Sequence, residues 1–331
     1  MLYKMDLLCV DEALYSVVNI RINLWCHTFK KRHRKLLRRN ADRFEVSVGP
    51  VILDAERERL YQLQKPRFKG FIHETLADYL SSEHAAGIFN TQELRVHADG
   101  QLVAVSYFDL GETAMASLLG LYDPAFADAS LGTYTMLKEM EYGQTHGFKW
   151  FYPGYVLDRP SPFDYKLKLG EIEYYKSTKR WAKLSSYSRS QTSAAVMERA
   201  MEDLEAALVA EGIVFRRWLY PFFTLGNLPF MRIDFFDLPV FLEIGHDHDG
   251  MLIVGHSVVS GGLVLAHLLP CPNEFPHAVL DFADEYNNLD VYYAALMKYG
   301  DAHGTKFELS DALAFLHHWR GRPDAITCLT E

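Results

Sequence analysis

Between Phe151 and Gly170 the chain reads FYPGYVLDRPSPFDYKLKLG. It opens like a buried strand and then sets Tyr152, Tyr155, Asp164, Tyr165 and Lys166 around Pro153, Pro160 and Pro162. A phenol can donate a proton or stack on a flat ring, an ammonium can hold an anion, and a carboxylate can accept a proton or hold a cation. Proline fixes its own φ, so a turn this rich in it holds such groups in a restricted arrangement. Packing alone gives little reason for so many polar aromatics there, which makes Tyr155 and Lys166 the strongest candidates for chemistry. Tyr152 also reads as a residue that simply packs in a sheet.

These residues need a scaffold, and the flanking sequence supplies one. VVNIRINLWC alternates like a strand, with Ile20, Ile22 and Leu24 on one face and Arg21 and Asn23 on the other. A helix is expected over Thr28–Asn40. EVSVGPVI follows as a strand-like run, then a helix capped by Asp54 and ended near Pro66, then another over 68–82. QELRVHADGQLVAVSYFDLGETAMASLLGLYDP reads as three antiparallel strands, turning at Asp99-Gly100 and Gly111-Glu112. SLGTYTMLKEMEYGQTHGF is a helix with Ser130 as N-cap and Gly147 at its C-terminal cap. FKWFYPGYV is a further strand. Residues 193–212 form an amphipathic helix, short strands follow from 213, and helices are expected over 281–300 and at ELSDALAFLHHWRGR. The fold class is α+β, a mixed sheet flanked by helices.

With 331 residues the chain exceeds what one core usually serves. The expected division is a basic N-terminal region (1–70), a central domain (71–190) and a C-terminal α+β extension (191–331). The cysteines Cys9, Cys26, Cys271 and Cys328 are scattered, with no CxxC pair. That excludes a disulfide framework or zinc knuckle and suits a reducing cytoplasm. No apolar run reaches the roughly 20 residues needed to span a bilayer. The N-terminus, MLYKMDLLCVDEAL, does not read as a secretory signal. Net charge is -9, yet FKKRHRKLLRRNADRF (29–44) carries Lys30, Lys31, Arg34, Lys35, Arg38 and Arg39 among its cations. A dense basic patch on an acidic protein suits contact with a phosphate backbone, or is merely a solvated helix face. GHDHDGMLIVGH gathers His246, Asp247, His248, Asp249 and His256, which suggests a metal site, but its Asp-Gly turn favours a polar hairpin tip, and no metal is expected.

Two stretches resemble the arginyl-tRNA–protein transferase family, which includes leucyl-transferring bacterial relatives. One runs from ELRVHADG to SPFDYK and carries YDP (Tyr122, Asp123, Pro124), SLGTY (Ser130 to Tyr134), Glu139 on the following helix, Y-x-GY (Tyr152, Gly154, Tyr155) and the terminal YK (Tyr165, Lys166). The other, NIRINLWCHTFKKRHRKLLRRNADRFEVSV, resembles the end of that family's N-terminal domain. Together they cover roughly residues 15–185. The family's N-terminal cysteine pairs are absent, and Pro162, Phe163 and Asp164 stand where a Cys and a Met usually precede the YK.

The resemblance implies a GNAT-like acyltransferase fold, in which two neighbouring parallel strands splay and the acyl group lies in the gap. Here those strands would be MASLLGLY and FKWFYPGY. The implied reaction is attack of a protein's α-amine on the ester joining an amino acid, arginine in the first instance, to the 3′ end of tRNA. That ester is already activated, so no cofactor is needed beyond aminoacyl-tRNA as donor substrate. The partners would be charged tRNA and an acceptor protein or peptide with an acidic N-terminus, with no membrane and no DNA. The catalytic candidates are Tyr155, Asp164, Tyr165 and Lys166. Substrate-binding candidates are Arg21, Asp109, Tyr122, Asp123, Ser130, Glu139, Tyr152 and Gly154, with free N–H groups at Gly132, Thr133 and Tyr134 for a phosphate or oxyanion. Lys30, Lys31, Arg34, Lys35, Arg38 and Arg39 would contact tRNA. Asp123 also reads as a turn initiator and Glu139 as a solvated acid. Two rival functions are a GNAT-fold enzyme using a donor such as acyl-CoA, though its pyrophosphate signature is missing, and a catalytically silent tRNA-binding protein.

Overall fold

The computed structural model describes residues 6–68, 72–80, 90–176, 179–227, 233–271, 288, 290–302 and 307–328. They fall into two compact units, one from Val17 to Ser188 and one combining Asp6–Ser16 with Arg189–Glu331.

In chain order the elements up to the end of the first unit are β1 (Leu7–Val10), β2 (Ala13–Asn23), α1 (Lys31–Ala41), β3 (Glu45–Pro50), α2 (Ala55–Gln64), α3 (Leu76–Tyr79), β4 (Asn90–Ala98), β5 (Gln101–Leu110), β6 (Ala114–Tyr122), α4 (Leu131–Thr145), β7 (Trp150–Tyr152), β8 (Tyr155–Leu157), β9 (Ile172–Tyr175) and β10 (Trp181–Lys183). The strands of the first unit order as β10-β9-β2-β7-β6-β5-β4-β3, with β8 also paired to β2. Thus the basic region contributes a central strand, β2, and an edge strand, β3. The alternation in β2 places Ile20 and Ile22 in the core, with Leu24 just beyond the strand also buried. One core lies between a sheet face and α4, including Phe108, Met115, Leu137, Met140 and Phe151. A second core, with Leu60, Tyr61, Tyr107 and Leu121, lies under α2 on the opposite face of β5 and β6.

Local signals set several ends. Asp99 and Gly100 both take positive φ between β4 and β5, as a tight two-residue hairpin requires. Asp54 caps α2 by accepting from the Arg57 N–H. At the C-terminus of α4, Gly147 sits at φ +79 and the Phe148 N–H reaches back to the Gly143 carbonyl at 2.9 Å, closing the helix with a left-handed cap. Ser130 does precede α4, but it adopts a left-handed conformation (φ 52) and its side chain makes no cap bond. The helix expected over 68–82 is much shorter where described: only Leu76–Tyr79, nucleated by a Thr75/Asp78 capping box. Residues 69–71 and 81–82 of that expectation lie outside the described residues.

The second unit adds α5 (Ser193–Ala210), β11 (Arg216–Leu219), β12 (Val240–Asp247), β13 (Gly250–Ser257), β14 (Gly262–Pro270), β15 (Met297–Ala302), α6 (Leu309–Arg320) and β16 (Ile326–Thr327). Its strands order as β11-β12-β13-β14-β15, with β16 on β12. The side chains of Leu7, Cys9 and Leu14 belong to this unit's core, with those of Met201, Leu204, Phe241 and Trp319. Part of the expected helix over 281–300 is instead strand: Met297–Ala302 pairs with β14, and 281–287 lie outside the described residues. The apolar residues of YYAALMKY fit both periods, and pairing with a buried neighbour strand decides. Among the described residues no helix is long and apolar enough to cross a membrane.

Candidate active site

The geometry of the site begins with a break in the sheet. β6 and β7 run parallel and pair at Ala114–Trp150, Met115–Phe151 and Ala116–Tyr152, and there the pairing stops. β6 continues to Tyr122. The other chain bends at Pro153-Gly154, where Gly154 takes φ +92, and Tyr155–Leu157 then pairs with Val17–Asn19 of β2. The Gly154 carbonyl accepts from the Ile20 N–H at 3.2 Å. The two strands therefore part after three pairs, as the resemblance implied for MASLLGLY and FKWFYPGY.

The proline-rich stretch folds as a 3₁₀ turn over Pro162–Lys168. Ser161 starts it, accepting from the Phe163 N–H (3.3 Å) and donating its hydroxyl to Asp164 Oδ1 (3.1 Å). The turn aims Lys166 inward. Its side chain is only 9% exposed, and Nζ donates to the Tyr155 carbonyl at 3.3 Å. Nζ also lies 5.4 Å from the Tyr155 ring centre and 5.0 Å from that of Phe163. Among the described residues no carboxylate pairs with it, and burial lowers its pKa to about 8. Gly154 leaves room for this ammonium: a Cβ there would stand 3.1 Å from Nζ.

The neighbouring Tyr165 is 39% exposed. Its phenol is pushed up to about 12, first by desolvation, then by the charges of Glu139 and Tyr122. Glu139 is not a solvated acid. It is completely buried on α4, and neither carboxyl oxygen has a hydrogen-bond partner. Burial raises its pKa to about 7. The hydroxyls of Ser106 and Ser117 temper that rise, yet neither is aligned to hydrogen-bond it. Tyr155, Lys166 and Phe163 thus form one cluster, and the same turn carries Tyr165, whose phenol feels the charges of Glu139 and Tyr122.

Other candidates are differently engaged. The N–H groups of Thr133 and Tyr134 are not free, because both bond to the Ser130 carbonyl at 3.0 Å. The left-handed Ser130 brings its carbonyl over the first turn of α4. Tyr134 is buried, its ring 6.3 Å from that of Phe44. Gly132 lies beside Tyr122, its Cβ position 3.6 Å from the ring. The Tyr122 hydroxyl accepts from Arg67 at 2.6 Å. Asp123 pairs with Arg59 at 2.8 Å and accepts from the Ala125 N–H, bonds that hold its carboxyl below the usual range. Asp109 accepts from Thr91 at 2.6 Å. Arg21 pairs with Glu173 at 2.8 Å and lies between the rings of Trp150 and Trp181, with Tyr152 edge-on to Trp181. On α1 and at its start, Lys30, Lys31, Arg34, Lys35, Arg38 and Arg39 are all exposed.

Several supporting residues, Asn40, Arg43, Asp128 and Ser106 among them, were not singled out beforehand, and Arg39, expected to contact tRNA, also has a structural bond. Asn40 donates to the Ala129 carbonyl at 2.8 Å, while Arg39 and Arg43 hold Asp128, so the end of α1 clamps the loop that leads into α4. Ser106 is a polar residue at an inward position of an apolar strand, LVAVSYF, which was the available signal. In the second unit, Asp247, His248 and Asp249 bring potential ligand atoms within 4.8 Å of one another. However, the Asp247 carboxylate already accepts from Trp319 (2.7 Å) and His267 (3.0 Å), with the Arg322 guanidinium 3.4 Å away. This is a polar clamp at a hairpin tip, and a cation already stands beside it.

The first unit is thus a mixed α+β sheet in which two parallel strands part after three pairs. Residues 53–176 match the model described as arginine-tRNA-protein transferase, C terminus, which bears out the resemblance over that stretch. An aspartate/glutamate leucyltransferase of Leptospira interrogans is 28% identical over 141 residues, 41% of this chain and 54% of that one. The namesake of Phenylobacterium zucineum is 28% identical over 182 residues, 53% of this chain and 70% of that one. The chain thus spans about half the length of the first relative. Among solved structures, FemX aligns with a TM-score of 0.39 at 10% identity, covering 49% of this chain and 60% of its own. L-PGS from Bacillus licheniformis aligns at 0.35 and 16% identity, covering 45% and 47%.

Proposed function

We propose that the protein transfers an amino acid from tRNA to the α-amine of a protein whose first residue is acidic, with arginine as the expected donor residue. The observation that carries this reading is Lys166, a buried ammonium that, among the described residues, has no carboxylate partner, at the edge of the parted strands. Such a group is costly to bury alone and gains most from an anionic ligand. The acidic side chain of the acceptor's first residue fits it, and pairing would restore its full charge. The attacking α-amine, whose pKa lies near ~8, gives its proton to Asp164 as the new amide bond forms. The carbonyl oxygen gains charge and takes the Gly132 N–H at the start of α4. Tyr165, held protonated by its raised pKa, supplies a proton to the departing ribose oxygen. The ester is activated beforehand, so the step draws on no nucleotide or metal, and tRNA as donor implies action in the cytoplasm. Binding of the tRNA body falls to α1.

The test uses labelled arginyl-tRNA and leucyl-tRNA with peptides that begin in Asp, Glu or Ala. Transfer to the acidic peptides supports the proposal, and which tRNA serves decides the donor. Transfer from neither, at enzyme concentrations above those of the tRNA, overturns it.

A further inference from the structure

On the side of the sheet opposite the α4 core, α2 packs over β5 and β6 and reaches β4 through the buried Arg57–Glu93 pair. Over β7, β2, β9 and β10 that side carries Trp150, Tyr152, Arg21, Glu173, Tyr175 and Trp181, as the pairings Asn23–Trp150, Arg21–Glu173 and Tyr175–Trp181 require. Their strand neighbours Ile22, Phe151, Ile172 and Tyr174 point the other way into the core. The aromatic residues here are interleaved with cations. Lys149 Nζ stands 5.0 Å from the Trp25 ring centre and 5.3 Å from that of Trp150. The Arg21 guanidinium follows, 3.5 Å from Trp150 and 4.2 Å from Trp181. At one end Trp25 is 66% exposed, fixed by its Nε1–H to the Gly147 carbonyl at 3.2 Å. At the other, the β9–β10 hairpin adds Lys179, Arg180 and Lys183, all exposed.

Packing accounts for the guanidinium between two indoles but not for an indole left two-thirds in water at one end, nor for the three exposed cations at the other, which make no ion pair among the described residues, on a protein of net charge -9. Flat rings held apart by cations, with further cations at the rim, match the requirements of unstacked nucleobases on a phosphate chain. Every base has a face to stack, and every phosphate needs a positive neighbour. We infer that this sheet face is a binding platform for single-stranded RNA. On the reading given above, on which this assignment to tRNA rests, the strand is the unpaired 3′ end of the donor. Tyr152 is the last residue of β7, so the platform ends where the strands part, and a strand lying along it is led to Tyr155 and Lys166.

The experiment measures binding of the full chain to a short labelled single-stranded RNA and to a blunt RNA duplex of the same length, by anisotropy and by quenching of tryptophan fluorescence. Wild type should bind the single strand with quenching. Trp25→Ala, which removes an exposed ring and leaves the cores untouched, should weaken that binding about tenfold, as should Trp181→Ala, and the duplex should respond less than about twofold. Arg180→Glu with Lys183→Glu should reduce the salt dependence of the single-strand affinity, a readout that does not depend on any ring being removed. Unchanged single-strand affinity in Trp25→Ala and in the charge-reversed variant overturns the inference, as does an equal loss for the duplex. An acidic peptide that displaces the RNA and loses affinity in the same variants assigns the face to the acceptor instead, which also overturns it. The two readings fail separately. Transfer from charged tRNA with undiminished binding in the variants sinks the platform alone. Ring-dependent RNA binding without transfer sinks the proposed activity alone.

Discussion

Lys166 and Glu139 are ionisable groups held where water cannot reach them, and both are under strain that function must justify. Burial brings the Lys166 pKa down to about 8 in the folded state, against 10.5 ordinarily. Between those values the unfolded chain binds the proton and the folded one has released it, so this residue makes stability rise with pH through that window. Below it the cost of the buried charge is fully present, at most about 3 kcal/mol. Lys166→Met should therefore stabilise the protein at neutral pH toward urea, lose that advantage at alkaline pH, and abolish transfer. Equal urea midpoints at neutral pH would remove Lys166 from this account. Glu139 behaves with the opposite sign. Its folded pKa of about 7 lies above the ordinary 4.5, so the folded state holds a proton the unfolded state has lost. The contribution is fully present below 4.5 and disappears as pH rises through about 7. Glu139→Gln should match wild type in acid and exceed it in stability above neutrality, by roughly 3 kcal/mol at most, in urea titrations at the two pH values. A wild-type advantage above neutrality would show that the carboxylate has a partner in solution.

Among the elements, the bend between β7 and β8 does more for the site than either short strand. Gly154 combines a φ of +92 with close approach to the Lys166 ammonium. Gly154→Ala is strained by its backbone and pushes Nζ at once, so it should cost about 1 kcal/mol or more and reduce transfer sharply while leaving tRNA affinity intact. Gly147→Ala, also at positive φ but with nothing near its Cβ position, supplies the comparison: similar destabilisation, unchanged transfer. If both variants lost transfer equally, general destabilisation and not the placement of Lys166 would be the cause. Elements fixed by their own residues were legible in the sequence, including the Asp99-Gly100 hairpin, the Asp54 cap and the Gly147 terminus. What holds the site together was not, because it depends on distant residues. Asp123 meets Arg59 across 64 positions, and Asn40 meets Ala129 across 89. Periodicity carries no trace of such pairs, so Asp123 reads equally as a ligand or a turn. Glu139 was misjudged as a possible surface acid for a related reason: α4 is apolar on several sides, and only the sheet determines which side is buried.

For the molecule as a whole, electrostatics sets the terms on which RNA can approach. A protein of net charge -9 repels a polyanion at a distance, and ionic strength screens that repulsion over about 8 Å under physiological conditions. Attraction must then come from a local concentration of cations that outweighs the remainder at contact. The exposed residues of α1 provide one, because Lys31, Lys35 and Arg38 project into water and, among the described residues, make no ion pair that would occupy their charge. Each cation that neutralises a phosphate of a duplex releases a counterion, and the slope of log affinity against log salt should fall by about 0.9 for every such contact removed. Replacing Lys31, Lys35 and Arg38 with Gln should therefore flatten the slope for tRNA by nearly three and weaken binding most at low salt, with little change in stability, since none of the three is buried. An enzyme that takes acyl-CoA would gain nothing from these residues, and its turnover would survive the triple substitution. A salt slope that does not move would place the tRNA body on another surface, and the basic character of α1 would then serve only its own C-terminal dipole, where Arg38 and Arg39 already stand.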